Sequence, residues 1–194
     1  MLELETSVIC DQGLKPFLLK LVPEEEREEF QNQINFPSWI EQQASGDVDC
    51  MINGNKLSVI CPKDDDIFGD IILVLPRNQK AQRLIRRNSQ HNTILFTERC
   101  DQMCAMCSQP PKSKDYMGWL DHYTQATILA DHGVRIGISG GEPTLHIDEL
   151  FYLLEKLAEK RADLDIHILT NAQHFKSEQK SRLAKIHKDL RILW

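Results

Sequence analysis

The stretch NTILFTERCDQMCAMC (92–107), with VRIGISGGEPTL (134–145) after it, decides how the rest of the chain is read. The first apolar run ends at Cys100, Cys104 and Cys107. Three thiolates at intervals of four and three residues can meet on one small object only if the chain loops tightly around it. Thiolates are soft ligands that select zinc or an iron–sulfur cluster. A structural zinc takes four ligands, so two readings stand open at this point. One is a cluster whose remaining iron is free for a substrate or cofactor; the other is a zinc ion completed by His91 or His122. In the second run Val134, Ile136 and Ile138 alternate with Arg135, Gly137 and Ser139, the period of a strand, and the run ends in Gly140-Gly141-Glu142-Pro143. Adjacent glycines at a strand end let the backbone lie close to a ligand, and Glu142 places a carboxylate there.

Cys-x3-Cys-x2-Cys after a first strand and GGEPTL after a second together resemble the radical S-adenosylmethionine (SAM) superfamily. The resemblance implies that Cys100, Cys104 and Cys107 hold a [4Fe–4S] cluster whose fourth iron binds the amino and carboxylate groups of SAM. It also implies that Gly140, Gly141 and Glu142 touch the methionine ammonium, a carboxylate beside an ammonium being a charge-assisted hydrogen bond. Met106 holds the place before the third cysteine, usually aromatic in the family and packed near the adenine; methionine is adaptable and apolar. Thr170 and Asn171 close a later strand at the end where an α/β barrel carries its chemistry. The resemblance implies that this end lines the SAM pocket, the alternative being a satisfied turn.

The implied activity is that of an enzyme. One electron passes from the cluster into bound SAM and releases a 5′-deoxyadenosyl radical that abstracts hydrogen from a substrate. No side chain is assigned a catalytic role, because the cofactors carry the hard chemistry and the protein binds and aims them. The flanking words HNTILFTERCDQMCAMCSQPPK (91–112) and GDIILVLPRNQKAQRLIRR (69–87) are similar to the His-Xaa-Ser system radical SAM maturases, a likeness that spans 70–171. That likeness implies a ribosomally made peptide substrate with His-Xaa-Ser repeats, a partner maturase of the same system and a reductant protein.

The 194 residues allow one or two domains with a sizeable core. Hydrophobic residues at 41% and charged residues at 27% are ordinary for a soluble globular protein. A net charge of −6 argues against general nucleic-acid binding. The start, MLELETSVIC, lacks the pattern of a signal peptide, and no apolar run reaches the length of a membrane span. A cytoplasmic location follows as the expectation. Cys10, Cys50 and Cys61 are widely separated and read as buried reduced thiols.

In chain order, alternation over 2–8 predicts a half-exposed strand, and Pro23 before an acidic run predicts a helix to about residue 32 with a solvated face. Trp39 and Ile40 are expected to anchor the segment after Pro37. Asn53-Gly54 between apolar residues is a tight hairpin signal, 64–66 is a polar loop, and 71–75 is an apolar strand stopped by Pro76. These features predict a small α+β domain over 1–90. Arg77, Lys80, Arg83, Arg86 and Arg87 read as a solvated strand edge or a surface for an acidic peptide. Loop is expected over 108–114, helix over 119–132 with Gly133 as its cap, and strand to 138. A helix over 147–162, a strand over 165–170, a helix over 177–188 and a strand from 190 complete the series. Alternating strands and helices predict parallel pairing with right-handed crossovers. The fold class expected is α/β, with 91–194 forming the N-terminal half of a radical SAM-type barrel. About three and a half of six strand–helix units are present by that likeness, so the chain reads as truncated. The alternative function is a non-catalytic iron–sulfur or metal-binding module. His146 and His167 stand near these features as acid/base candidates or as packing.

Overall fold

The computed structural model describes residues 8–9, 13–22, 41–42, 47–52, 55–60, 67–105, 107, 110–114, 116–186 and 190–193. The chain divides into two units, Met1–Ser89 with Leu129–Asp131, and Gln90–Ile128 with His132–Trp194.

The first unit holds seven described strands: β1 (Val8–Ile9), β2 (Phe17–Lys20), β3 (Glu41–Gln42), β4 (Asp47–Ile52), β5 (Asn55–Ile60), β6 (Ile71–Leu75) and β7 (Lys80–Ile85). One antiparallel sheet runs β1-β5-β4-β3. Its β4 and β5 pair from Asp47↔Ile60 to Ile52↔Asn55, which flanks the predicted Asn53-Gly54 turn. The helix expected over 23–32, the anchor at 39–40, the loop over 64–66 and residues Cys10 and Cys61 lie outside the described residues.

The other sheet of this unit runs β2-β6-β7, also antiparallel. Its middle strand is buried from Ile71 to Val74, as an uninterrupted apolar run requires when both faces are covered. Pro76–Asn78 form one 3-10 turn, and Gln79 takes a left-handed φ of 49° to start β7. In β7 the buried positions are Ala81, Arg83 and Ile85. Arg83 thus points inward, where its guanidinium pairs with the buried Asp70 carboxylate. The Arg87 backbone N–H donates to the same carboxylate at 2.7 Å. Burial raises the Asp70 carboxyl above its ordinary range, while the Arg87 N–H and Arg83 pull it down. The basic run 77–87 is therefore a strand with one inward arginine, and its solvated-edge reading does not extend to Arg83.

The second unit is mixed α/β with a parallel sheet. β8 (His91–Thr97) leads through a long loop to a 3-10 turn at Met117–Trp119 and α1 (Leu120–Leu129). Then come β9 (Arg135–Gly140), a 3-10 turn at Pro143–His146, and α2 (Ile147–Lys160). β10 (Asp165–Leu169), α3 (Ser177–Ile186) and β11 (Leu190–Leu193) complete it. The sheet order β8-β9-β10-β11 follows the chain, and its registers include His91↔Arg135, His167↔Gly137 and His167↔Arg191. Successive right-handed crossovers put every connecting helix on one side of such a sheet. Alternation agrees: Ile94, Phe96, Ile136, Ile138, Ile166 and Ile168 are buried on one face. Leu150, Phe151, Leu153, Leu154 and Leu157 form the buried stripe of α2. The opposite face, with Thr93, Ser139, His167 and Leu169, is half-buried or exposed. Among the described residues four parallel strands form an open sheet and no closed barrel. No helix among them is long and apolar enough to cross a membrane.

α2 stops at Lys160 because Arg161 leaves the helix while its N–H still reaches the Leu157 carbonyl at 2.7 Å. The Arg161 guanidinium donates to the Ile128 carbonyl near the C-terminus of α1 at 2.9 Å and to both oxygens of Asp163 at 2.8 Å.

Candidate functional site

β8 ends in a register shift against β9 between Leu95 and Thr97, a bulge of the kind that bends a strand where it leaves a sheet. The loop that follows carries the three cysteines and is closed at its neck. The Glu98 N–H donates to the Lys114 carbonyl at 3.0 Å, and the Lys112 N–H donates to the Glu98 carbonyl at 2.9 Å. The Glu98 side chain accepts from Lys112 Nζ at 2.6 Å and from the Tyr116 hydroxyl at 3.0 Å. The Lys112 bond holds the Glu98 carboxyl below its ordinary range.

Inside this loop Cys100 is half-buried and Cys104 and Cys107 are exposed, all as free thiols. The Cys107 N–H turns back onto the Cys104 carbonyl at 3.0 Å, and the Gln102 N–H points at Cys100 Sγ at 3.5 Å. Among the described residues no three His, Cys, Asp or Glu side chains converge to hold a metal ion. The three thiols share one loop, and their sulfurs do not form a ready-made ligand set. His91 opens β8 while the cysteines follow its end, roughly 20 Å away at the rise of a strand, so it is no partner for them. His122 lies edge-on to Trp119, with ring centroids 5.3 Å apart. Met106 lies outside the described residues.

The glycine turn after β9 is fitted to this loop. The Gly141 N–H donates to the Thr97 carbonyl at 2.7 Å, and the Glu142 N–H to the Arg99 carbonyl at 2.8 Å. Gly140 has a φ of 136°, and a Cβ there would clash with the Thr97 carbonyl oxygen; one on Gly141 would clash with the Arg99 carbonyl oxygen. The glycines are needed so that the turn can lie against the strand end feeding the cysteines.

Glu142 is 1% exposed. Its Oε1 accepts from the Thr144 N–H at 2.9 Å, from the Thr144 hydroxyl and from the Thr170 hydroxyl at 2.5 Å. Its Oε2 accepts from the Asn171 N–H at 2.7 Å. Glu142 thus caps the turn that runs into α2 and also holds the end of β10. Glu followed by proline at a helix start was the sequence signal for the cap; nothing in the sequence signalled the bond to Asn171. Beyond β10, Thr170 Oγ1 accepts from the Ala172 N–H at 2.9 Å, and Ala172 sits at a left-handed φ of 60°. The Gln173 N–H donates to Asn171 Oδ1 at 3.0 Å.

This loop reaches back to the cysteines. Asn171 Nδ2 donates to Asp101 Oδ1 at 3.4 Å, His174 Nε2 lies 2.8 Å from Asp101 Oδ2, and Gln102 Nε2 donates to Gln173 Oε1 at 3.1 Å. The His174 bond holds the Asp101 carboxyl below its ordinary range. Asp101, Gln102, Gln173 and His174 carry no motif and escaped the sequence reading. The structure therefore brings Cys100, Gly140, Gly141, Glu142, Thr170 and Asn171 together at the C-terminal ends of the strands, where open α/β sheets bind their ligands.

The histidine candidates lie elsewhere. His167 Nε2 is 2.9 Å from Asp165 Oδ1, in a cluster with Arg135 and Arg191 in the N-terminal half of the sheet. His146 ends the 3-10 turn, and its Nε2 is buried with no hydrogen-bond partner.

Residues 94–192, just over half of the 194, match the Radical SAM superfamily. The chain belongs to the radical SAM superfamily. The match takes in the three cysteines, the GGE turn and the end of β10, and leaves the β2-β6-β7 sheet outside it. Neither the curated proteins nor the solved structures gave a match. Membership supports a SAM-dependent radical enzyme in general terms, because radical SAM proteins typically use a [4Fe–4S] cluster and SAM. The donor set fits the cluster: three free thiols, the soft ligands iron–sulfur chemistry takes, lie on one loop beside a turn that a side chain would block.

Proposed function

We propose that Cys100, Cys104 and Cys107 hold a [4Fe–4S] cluster, and that Gly140, Gly141 and Glu142, with Thr170, Asn171 and Met106, border the adjoining SAM site. One observation carries the reading: the loop bearing three free thiols is bonded at its root to the GGE turn, through Thr97 and Arg99. When bound, such a cluster with SAM supplies one-electron cleavage and a hydrogen-abstracting radical. This chain's own part is placement. The neck at Glu98, Lys112 and Tyr116 closes the cysteine loop, the glycines bring the turn against it, and Thr170 and Asn171 fix the third strand end.

The finer reading rests on the words around these motifs. The substrate is a ribosomally made peptide with His-Xaa-Ser repeats, modified in the cytoplasm with the help of a partner maturase and a reductant protein. The parallel sheet, from about residue 91 onward, is part of a radical SAM-type barrel, and residues 1–90 form a separate small domain.

Anaerobic reconstitution with iron and sulfide tests the cluster. Cys100→Ala, Cys104→Ala and Cys107→Ala should each abolish sulfide and the charge-transfer absorption, whereas Cys10→Ala, Cys50→Ala and Cys61→Ala should not. Stoichiometric zinc without sulfide would overturn the reading. The substrate class is tested by mass change of a His-Xaa-Ser repeat peptide under SAM and a reductant, against the same peptide with the repeats scrambled.

A further inference from the structure

We infer that Glu142 and Asn171 are positioning residues that couple the GGE turn to the cysteine loop, with Glu142 acting through Asn171. The inference rests on the cluster and SAM reading for its purpose, but the coupling is a property of the chain alone.

The starting point is the bonding of Glu142. Four donors from Thr144, Thr170 and Asn171 reach this carboxylate, three on Oε1 and one on Oε2, and only 1% of the residue is exposed. A group so buried and tied to three residues is part of the framework. Its connections are directional. Oε1 holds the start of the segment that becomes α2, and Oε2 holds the backbone N–H of Asn171 at the end of β10.

Asn171 carries the link onward. Its backbone N–H is fixed by Glu142, while its side-chain Nδ2 donates to Asp101, the neighbour of Cys100. Asp101 and Gln102 are held further by His174 and Gln173. A second route joins the same partners through the backbone, from Gly141 and Glu142 to Thr97 and Arg99. The cysteine loop is thus clasped on two sides by the elements that border the proposed SAM site. A displacement of the GGE turn would be transmitted to Cys100 through both.

The amide isostere separates this role from ligand contact. Each carboxylate oxygen already accepts a backbone N–H, Thr144 on Oε1 and Asn171 on Oε2. A backbone N–H cannot reverse its polarity, so a glutamine at 142 must turn its NH2 group against one of the two. Glu142→Gln therefore loses its bond to one of these two N–H groups in the absence of any ligand, loosening either the segment before α2 or the end of β10. Asn171→Ala keeps the backbone N–H for Glu142 and removes the arm to Asp101 together with the acceptor for the Gln173 N–H.

The test is amide hydrogen exchange, read by mass spectrometry on the full chain, metal-free and reduced, together with the alkylation rate of Cys100. Asn171→Ala should speed exchange over 99–104 by about three- to tenfold, the change in local opening expected for one lost hydrogen bond. Exchange in β6 and α2, and the thermal midpoint, should not move. Glu142→Gln should speed exchange over 143–145 or over 170–173, according to which N–H loses its acceptor, and loss on the 170–173 side should also speed exchange over 99–104 and alkylation of Cys100. Asn171→Ala added to Asp101→Ala should change 99–104 by less than Asn171→Ala does alone, because the Asn171–Asp101 bond is already gone. Unchanged exchange over 99–104 in Asn171→Ala overturns the coupling, whether or not Glu142→Gln folds. Faster exchange in a chain whose unaltered form takes up no iron and sulfide upholds the coupling and sinks the cluster reading instead.

Discussion

A methyl group at position 141 would occupy the same space as the Arg99 carbonyl oxygen, whereas one at Gly118 meets nothing within 4 Å. Gly141→Ala should therefore destabilise the chain by roughly 1–3 kcal/mol, the cost of overpacking a rigid contact, and Gly118→Ala should be near neutral. The urea midpoints of the two variants check this; equal midpoints would show that the turn yields freely. The comparison also shows where residue-level reading succeeds and where it stops. Adjacent glycines at a strand end announce a close backbone approach, and that much was legible at Gly140-Gly141. What approaches was not, because the Thr97 and Arg99 carbonyls lie more than forty residues upstream and carry no side-chain signature. Glu142 was legible as a carboxylate at the turn. Its set of partners was not, since two of its donors, Thr170 and Asn171, come from another strand end.

At the scale of elements, period identified what was regular and missed what was irregular. β6, α2 and β10 lie close to their expected bounds because their apolar residues keep the period of their own structure. The run holding β7 was expected as a solvated strand edge or a surface for an acidic peptide, and what that reading missed is inward position 83, where an arginine breaks the apolar alternation of a half-buried strand. Its partner Asp70 supplies the reason it is tolerated. The end of α2 has a similar hidden partner. Arg161 ties the turn after α2 to the α1 terminus and to Asp163, and the hydrogen bond from Arg161 depresses the Asp163 carboxyl well below the usual carboxylate range. A carboxyl depressed in the folded state binds fewer protons there than when unfolded, so its contribution is present above the unfolded value of about 3.9 and fades as pH falls toward the folded value. Asp163→Asn should lower the thermal midpoint at neutral pH, and the gap from the unaltered chain should close on acidification. A gap independent of pH would mean that the carboxylate charge does not matter to this turn.

The whole second unit is a sheet wound in one direction, and one of its faces is the less covered. Leu169 and Leu193 are register partners there, 42% and 44% exposed. That exposure leaves somewhat less than half of each side chain's possible burial unmade, beside β11, a strand at the sheet edge. Paired exposed leucines at an edge favour association, so Leu169→Lys with Leu193→Lys should shift sedimentation of the purified chain toward monomer. The same distribution in both would assign this face no part in self-association. The parallel order itself was legible, since strands alternating with helices leave few other topologies. The division between units was only partly so, because Leu129–Asp131 group with the first unit although α1 and β9 on either side belong to the second.

The clasp on the cysteine loop also has an order in time. Asn171 and Asp101 are 70 residues apart in sequence, so on a ribosome adding about 5–20 residues per second the thiols are made roughly 4 to 14 seconds before the residue that secures them. The nascent loop lacks the GGE turn until position 142 has been added, and the β10 end until position 171. Thiols in that state are open to stray metals and to oxidants, and the cell must keep them reduced until the later strands arrive. Delivery of the proposed cluster is then best matched to the finished chain, and the loop is least protected during its own synthesis.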